Sequence, residues 1–295
     1  MTLADLLEVL PPTDLDRLAF PRHLLGAFRR KSITFCTGLT DEQSVVYWFQ
    51  SKSFTIDLRL PDGAATPVTD RQGWTGDTLW DDRKQQMSWA IKRSYQPRDQ
   101  WPEPASFGFI GNSILEYAPS GAYVEDWRQQ ADEGPLLGLR LTTLRHQASG
   151  RNFAMKGGFV LAGPHAAFAL SRLPEVEDAL RHAATLEQAM IDGIVSEEQI
   201  ESHEVSVALD GAAITHSTRP QRLGQPIARG DFAITPAGDV IMHTAIDGAS
   251  CSLHFTVDVY LPAFTFAAIT PSTAEALDWM QREQRHLNRH ARIAR

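Results

Sequence analysis

Residues 45–61 read VVYWFQSKSFTIDLRLP, and this segment carries the clearest structural signal in the chain. Its second half alternates strictly: apolar side chains at 54, 56, 58 and 60 are separated by Thr55, Asp57 and Arg59. A period of two residues is typical of a half-buried β-strand and excludes a helix. The Pro-Asp-Gly turn at 61–63 ends this strand.

The first half of the same segment predicts a second strand. Tyr47, Trp48 and Phe49 are consecutive, so both faces are apolar, as in a strand covered on both sides. Residues 51–53 form a short turn or bulge between the two strands. The pattern continues outward, because turn-forming residues recur every 8–12 residues as far as 149. Further strands are predicted at 32–35, 75–81, 86–95, 107–110, 112–117, 122–128 and 136–145.

About eight short strands without a long helix between them favour a closed antiparallel barrel or a sandwich. A helical arm is predicted before them, from helical spacing at 2–10 and 13–19. Its apolar stripe either closes the end of a barrel or contacts a second subunit in a homodimer.

The second half repeats the β pattern and adds helices at 175–191, 196–200 and 272–290. The predicted fold is therefore mainly β, with two antiparallel β domains, an N-terminal helical arm, a helix in the second domain and a C-terminal helix. The predicted division is a helical arm at 1–28, a first barrel domain at 29–149, and a second barrel domain with helices at 150–295.

Composition excludes several classes of protein. The chain has 295 residues, 43% of them apolar, which is ordinary for a globular protein with a core. A formal net charge of -8 argues against nucleic acid as a partner. The two cysteines, Cys36 and Cys251, are far apart and predict no disulfide framework, and the acidic start does not resemble a signal peptide. No apolar run is long enough to span a membrane. We therefore expect a cytoplasmic protein.

Six of the seven tryptophans fall in the first half, and they bear directly on function. Large aromatic side chains can fill a small barrel, or they can line a cavity for a flat apolar ligand. The sequence favours filling over lining but leaves both open. These six residues are Trp48, Trp74, Trp80, Trp89, Trp101 and Trp127.

Four short motifs occur in the first half: Trp48-x-Gln50, Ile56-Asp-Leu-Arg59, Ile114-Leu-Glu116 and Gly121-x-Tyr123-x-Glu125-x-Trp127. Together they resemble a calycin-like family typified by a yeast casein-kinase-interacting protein of unassigned activity, with bacterial members. The resemblance covers mainly residues 30–145 and implies two antiparallel calycin-like (lipocalin-like) β-barrel domains in tandem. It implies more about fold than about function.

Two sets of polar residues are candidates for chemistry. Asp57 and Arg59 share a strand face, where they form either a polar anchor inside an aromatic cavity or an exposed surface pair. Glu116, Tyr123 and Glu125 are the second set. Two carboxylates close together inside a barrel would repel, which raises one pKa and creates a general acid/base pair. The plainer alternative is a pair of solvated acids on the outside of a hairpin.

The histidines predict no metal site. His216, His243 and His254 lie on predicted strands, but their spacing matches no ligand motif and their register is not fixed by the sequence. The chain also has no P-loop, dinucleotide-binding or nucleophile-elbow motif. We therefore predict neither a metal nor a cofactor.

The function predicted from these features is binding of a small apolar or aromatic, anionic ligand in a tryptophan-rich barrel cavity. The predicted ligand-binding residues are Trp48, Gln50, Arg59, Trp89, Trp127 and Arg140. The alternative is a cofactor-independent lyase, isomerase or cyclase that uses the same cavity, and its predicted catalytic residues are Asp57, Glu116, Tyr123 and Glu125.

Overall fold

The computed structural model describes residues 1–14, 18–97, 103–268 and 270–291. Two antiparallel sheets form the framework of the fold, and strand residues far outnumber helical ones, so the prediction of a mainly β protein is confirmed. The second predicted helical stretch of the N-terminal arm, at 13–19, falls partly outside the described residues, as does Trp101. None of the described helices is both long and apolar enough to cross a membrane.

The first sheet closes into a barrel, because its first strand pairs with β3 on one side and with β9 on the other. Eight strands form the closed ring, and the short β2 pairs with β1 beside it. The strands are β1 (Gly26–Phe35), β2 (Thr40–Asp41), β3 (Val45–Gln50), β4 (Phe54–Leu60), β5 (Gln72–Asp81), β6 (Gln86–Ser94), β7 (Ala105–Ile110), β8 (Ser113–Tyr117) and β9 (Tyr123–Gln129).

Alternation along β3 and β4 separates an interior from an exterior face, as the sequence predicts. Trp48 is paired with Asp57, and Val46 with Arg59, so these four side chains share one face. That face is the lumen. The apolar face of β4, with Ile56 and Leu58, lies outside the barrel and packs in one continuous core with residues of the second sheet.

The second sheet follows the order β15-β14-β13-β12-β10-β18-β17-β16, with β11 beside β10. In the described residues its end strands, β15 and β16, have no ladder joining them, so the pairings do not close a second ring. Its strands are β10 (Glu133–His146), β11 (Asn152–Phe153), β12 (Gly157–Ala162), β13 (His165–Leu170), β14 (Glu204–Ala208), β15 (Ile214–Ser217), β16 (Asp231–Ile234), β17 (Val240–Ile246) and β18 (Ala249–Thr265).

Strand β10 belongs to this second sheet, where it pairs with β12 and β18. The sequence-based division at 149 groups the same residues with the first barrel instead. Their alternation gives the strand but not its partners, because pairing between distant strands leaves no local pattern. The chain therefore passes from one sheet to the other between Gln129 and Glu133.

The N-terminal helix packs against the second sheet. Leu6 is fully buried in the hydrophobic core of that sheet, and the amino group of Met1 donates a hydrogen bond to the Phe232 carbonyl oxygen. Thr2 and Asp5 form a capping box that begins the helix. The five helices are α1 (Leu3–Val9), α2 (Pro174–Leu180), α3 (Leu186–Ile191), α4 (Glu197–Glu201) and α5 (Ala274–Leu287).

The single helix predicted at 175–191 is two helices in the structure, α2 and α3. Thr185 explains the break, because its side chain accepts a hydrogen bond from the Gln188 amide and so begins a new helix. Helices α2, α3 and α4 share a small core with Tyr95 of the first half. The last helix, α5, has no buried residue.

Candidate functional site

Eight side chains inside the first barrel surround a cavity of about 20 Å³. We call them the lumen cluster: Trp48, Asp57, Arg59, Trp74, Trp89, Glu116, Glu125 and Trp127. A cavity of this size holds about one water molecule. The tryptophans therefore fill the lumen, and the structure contains no roomy cavity beside Arg59 of the kind that the ligand-binding prediction assumes.

The indole rings pack edge to face. Trp48 contacts Trp127 and Trp89 at centroid separations of 5.6 and 6.4 Å, and Trp74 contacts Trp89 at 6.3 Å. Edge-to-face geometry is the favoured arrangement for aromatic pairs and stabilises each pair beyond its buried area. Trp48, Trp74 and Trp127 are buried, whereas Trp89 is half-buried and is the ring of this group nearest to solvent.

Hydrogen bonding divides the four indoles into two pairs. Trp48 Nε1 donates to Gln50 Oε1 at 3.0 Å, and Trp127 Nε1 donates to Glu116 Oε2 at 3.1 Å. Within the described part of the chain, the buried Nε1 atoms of Trp74 and Trp89 have no acceptor. A buried donor without a partner costs about 1–3 kcal/mol. Both unpaired donors belong to rings that line the same small cavity.

Asp57 and Arg59 form a two-point ion pair inside the barrel. Arg59 Nε and Nη2 donate to the two Asp57 carboxylate oxygens at 2.8 and 3.2 Å. The sequence prediction made Arg59 an anchor for an anionic ligand, but Asp57 already engages its charge. The pair therefore lies inside the barrel, and the alternative of an exposed surface pair is wrong.

A second arginine, Arg30, holds the other side of the lumen. Its Nη1 donates to Glu125 Oε1 and its Nη2 to Asp41 Oδ2, both at 2.8 Å. Arg30 lies outside the strand predicted at 32–35, so it was not predicted as a site residue. In the structure β1 begins earlier, at Gly26, and includes Arg30. Trp74 was also not assigned to the site, because the pairing of β5 with β4 that brings it opposite Asp57 has no local signal.

The two glutamates are buried and lie directly opposite each other on β8 and β9. Burial raises the pKa of Glu116 well above its ordinary value of 4.5, and the charge of Glu125 raises it further against the opposing effect of Arg59. The Tyr123 hydroxyl lies 3.5 Å from Glu116 Oε1. Burial and the same two carboxylates raise the pKa of Tyr123. The prediction of solvated acids outside the hairpin is therefore wrong.

Gln50 closes one end of the lumen. Besides accepting from Trp48, its amide donates to the Ser51 carbonyl oxygen at 2.6 Å and to Thr78 Oγ1 at 2.8 Å. These bonds hold the side chain in place between β3 and β5. Gln50 thus orients the Trp48 ring and does not line the cavity.

Arg140 lies at the junction between the two sheets and not in the lumen. It donates to Asp77 Oδ1 at 2.5 Å and to the Ser53 carbonyl oxygen at 2.6 Å, and it lies over the Phe54 ring. Asp258 of β18 also reaches across this junction and accepts from the Ser51 hydroxyl and the Ser53 amide. The placement of Arg140 follows from its strand, β10, which belongs to the second sheet.

The three strand histidines do not meet. His216 lies beside the Tyr47 ring, His243 is exposed, and His254 is paired with Ile241 on the neighbouring strand. No group of three potential metal-ligating side chains occurs among the residues that the structure describes. Neither cysteine forms a disulfide.

The lumen cluster thus offers aromatic walls, two indole donors and a carboxyl group with a raised pKa. Both arginines are already engaged, since Arg59 pairs with Asp57 and Arg30 pairs with Glu125 and Asp41, and the carboxylates outnumber them. Such a site suits a neutral hydrogen-bond acceptor better than an anion. The chain matches no protein-family model, no curated protein and no solved structure.

Proposed function

We propose that the protein binds a small aromatic or apolar molecule in the tryptophan-lined lumen of the first barrel. The observation that carries this proposal is the pair of buried indole donors, on Trp74 and Trp89, beside one small cavity. A ligand oxygen that accepts from Trp74 would remove the cost of one unpaired donor, and rotation of Trp89 toward solvent would let water accept from the other. Aromatic walls with a few placed polar groups are the usual composition of a small-molecule site.

The ligand in this proposal carries a neutral acceptor oxygen, such as an amide or ketone. Asp57 already engages Arg59 through two oxygens, and two further carboxyl groups face the same space. An anion entering the lumen would approach these carboxyl groups without an uncommitted cation to balance it. The proposal therefore keeps the ligand class predicted from the sequence but replaces its anionic head with a neutral one.

Binding requires one ring to move, because about 20 Å³ holds one water and not an aromatic ring. Trp89 is the half-buried member of the cluster, whereas Trp48, Trp74 and Trp127 are buried. Rotation of Trp89 toward solvent opens space between Trp48 and Trp74, both of which it contacts edge to face. The ligand thus selects or induces an open arrangement of the lumen.

Indole nitrogen–proton NMR spectra test this proposal. The protein is titrated with benzamide, benzoate and benzylammonium, which share a ring and differ in charge. We expect benzamide to give saturable shifts of the Trp74 and Trp89 indole signals, with weaker responses to the two ions. Trp279, exposed on α5, is the internal control and should not move.

Two variants complete the titration. Trp74→Phe removes the donor that the ligand oxygen uses, so it should abolish the benzamide response of Trp89, whereas the matched variant Trp279→Phe should not change it. An absence of saturable shifts with all three compounds, or shifts of the Trp279 signal equal to those in the lumen, would rule out the proposed site.

A second function is favoured by the burial of Glu116 beside Tyr123 and Glu125. A buried carboxyl group with a raised pKa, next to a tyrosine hydroxyl and a second carboxylate, is an arrangement that acid/base enzymes use. The second candidate is therefore a cofactor-independent lyase, isomerase or cyclase. Infrared difference spectra at pH 7 test its premise: a protonated-carboxyl band should be present in the protein and lost in Glu116→Gln. If Glu116 is ionised at pH 7, this candidate fails.

We also propose a family and a cellular location for the protein. Membership in the calycin-like family is supported by the closed antiparallel barrel and by the meeting of Trp48, Asp57 and Arg59 inside it. A cytoplasmic location is supported by Cys36 and Cys251, which are both free thiols.

A further inference from the structure

The second sheet holds a pocket much larger than the lumen cavity, with a volume of about 520 Å³. This volume lies in the range of ordinary small-molecule sites, roughly 300–1,000 Å³. The pocket lies at the end of the sheet that α1 does not cover. Along β18, Tyr260 contacts Leu7 of α1, whereas Cys251 lines the pocket. Nine residues of strand separate these two positions by ~30 Å.

The interior of this pocket is aliphatic. Its walls are built mainly from branched side chains and sulfur-containing side chains, with one aromatic ring and no tryptophan among the described lining residues. Such walls accept a flexible hydrocarbon more readily than the rigid edge-to-face lumen of the first barrel does. The apolar residues used in this argument are Leu144, Phe153, Met155, Leu170, Ile246 and Cys251.

One cation at the rim is available to a ligand. The Arg151 guanidinium lies 4.8 Å from the centre of the Phe153 ring, which holds it at the edge of the pocket. Its ionic partner, Glu175, is 3.5 Å away, and both side chains are more than 60% exposed. An exposed pair of this kind stabilises the protein by about 1 kcal/mol at most, so a ligand carboxylate can replace Glu175.

The carboxylate at the rim is already paired, and the ring of His146, which also lines the pocket, is hydrogen-bonded to the Ser149 hydroxyl. Asp247, which also lines the pocket, forms an ion pair with Arg219. A carboxylate approaching Arg151 therefore does not face an unbalanced negative charge from Asp247. The rim thus presents one exchangeable positive charge above an aliphatic interior.

We propose that this pocket binds a medium-chain aliphatic carboxylate, with the hydrocarbon tail inside and the carboxylate against Arg151. This site is separate from the tryptophan-lined lumen and goes beyond the function proposed for it. The ligand differs in both parts: here the body is aliphatic and the head is anionic, whereas the lumen suits an aromatic body with a neutral acceptor.

Methyl NMR of the full chain labelled at methionine tests the proposal with decanoate. Met155 lines the pocket, and Met87 is buried in the core of the first barrel, so one label reports on both regions. We expect decanoate to shift the Met155 signal saturably and to leave Met87 and the lumen indole signals unchanged. Hexanoate should bind at least about tenfold more weakly, since four methylene groups are lost.

Variants separate the two parts of the ligand. Arg151→Gln should weaken decanoate binding by about fivefold and leave decanol binding unchanged, because only the carboxylate uses the charge. Arg145→Gln makes the same charge change on β10 outside the pocket and should change neither. Ala249→Phe places a ring in the pocket and should weaken the Met155 response to decanoate, and an unmoved Met87 signal shows that this variant is folded.

Three results would overturn the proposal: no saturable shift of Met155, equal effects of Arg151→Gln and Arg145→Gln, or equal affinities for hexanoate and decanoate. A decanoate response at the Trp74 and Trp89 indoles without one at Met155 would place the ligand in the lumen. That result would contradict this site and support binding by the first barrel. Failure here and failure of the benzamide titration are therefore distinguishable.

Discussion

The interiors of the two sheets differ in almost every respect. The first barrel encloses four tryptophans and two arginine–carboxylate clusters around about 20 Å³, whereas one end of the second sheet encloses about 520 Å³ behind aliphatic walls. A ring of eight strands is just wide enough for its interior side chains to fill it, and the tryptophans do so here. In this chain the tryptophan-rich half therefore forms the filled interior, and the larger empty pocket lies in the second sheet.

The largest predicted effect tests the buried charges of the first barrel. Arg59→Met leaves the Asp57 carboxylate buried without its partner, and we expect the free energy of unfolding to fall by about 3–5 kcal/mol. Chemical denaturation measures this change in the free energy of unfolding.

The matched control for Arg59 is Arg181→Met, which breaks a surface pair with Asp178 and should cost about 1 kcal/mol or less. Replacing both lumen partners, as Asp57→Leu with Arg59→Met, should recover most of the loss. If the double variant is as unstable as Arg59→Met alone, the unpaired charge is not the cause.

The next effect compares how the two interiors tolerate added volume. Val46 is fully buried on the face of Arg59, so Val46→Phe should cost about 1–3 kcal/mol through overpacking. Ala249 borders the large pocket, and Ala249→Leu should cost less than about 0.5 kcal/mol, because the added carbons enter open space. Thermal unfolding of the two variants gives the comparison. Equal losses would mean that the pocket is closed in solution.

A smaller effect tests the junction between the two regions. Arg140→Met removes the contacts to Asp77 and Ser53, and since Arg140 is partly exposed we expect a loss of about 1–2 kcal/mol. Benzamide shifts of the lumen indoles should be the same as in the unmodified protein. A change in benzamide affinity without a change in stability would show that Arg140 takes part in ligand binding, as the sequence predicts.

The smallest effect is a difference in pH dependence. Glu116 has a raised pKa, so the folded state holds its proton more tightly than the unfolded chain does. Its contribution to stability is complete below pH 4.5 and is lost as the pH rises through the raised pKa. The slope is at most about 1.4 kcal/mol per pH unit, and Glu116→Gln should abolish it.

His203, buried beside α2 and α4, changes stability in the opposite sense. Burial lowers its pKa below the ordinary 6.5, against the opposing contact with Glu177. Its contribution to stability is complete above pH 6.5 and is lost as the pH falls through the lowered pKa. We expect the free energy of unfolding, measured across pH 4–9, to vary less with pH on the acid side in His203→Gln. It should vary less on the alkaline side in Glu116→Gln. The same change in both variants would contradict these assignments.

Alternation along single strands was enough to predict part of the lumen cluster. Alternation in β4 placed Asp57 and Arg59 on one face, and a period of two makes that face unambiguous once one side is buried. The same period of two puts Tyr123, Glu125 and Trp127 of β9 on one face. What alternation does not state is which face is the lumen: the apolar face of β4 packs between the sheets, and the polar face points inward.

Features that depend on pairing between distant strands were beyond such reasoning. The strand containing Arg140 was predicted, but its partners, β12 and β18, follow it in the chain, and only the pairing shows that it left the first barrel. Trp74 joined the site for the same reason. The large pocket in the second sheet depends on the ends of β10, β13 and the β17–β18 hairpin, whose convergence has no local signal.

A crystal structure of the protein with 4-bromobenzamide tests the central claim most directly, because anomalous scattering from bromine locates the ligand in either interior. We predict the ring in the first barrel with Trp89 rotated outward, and the amide oxygen about 2.7–3.2 Å from Trp74 Nε1. Bromine in the aliphatic pocket of the second sheet, with the four lumen tryptophans unmoved, would contradict it.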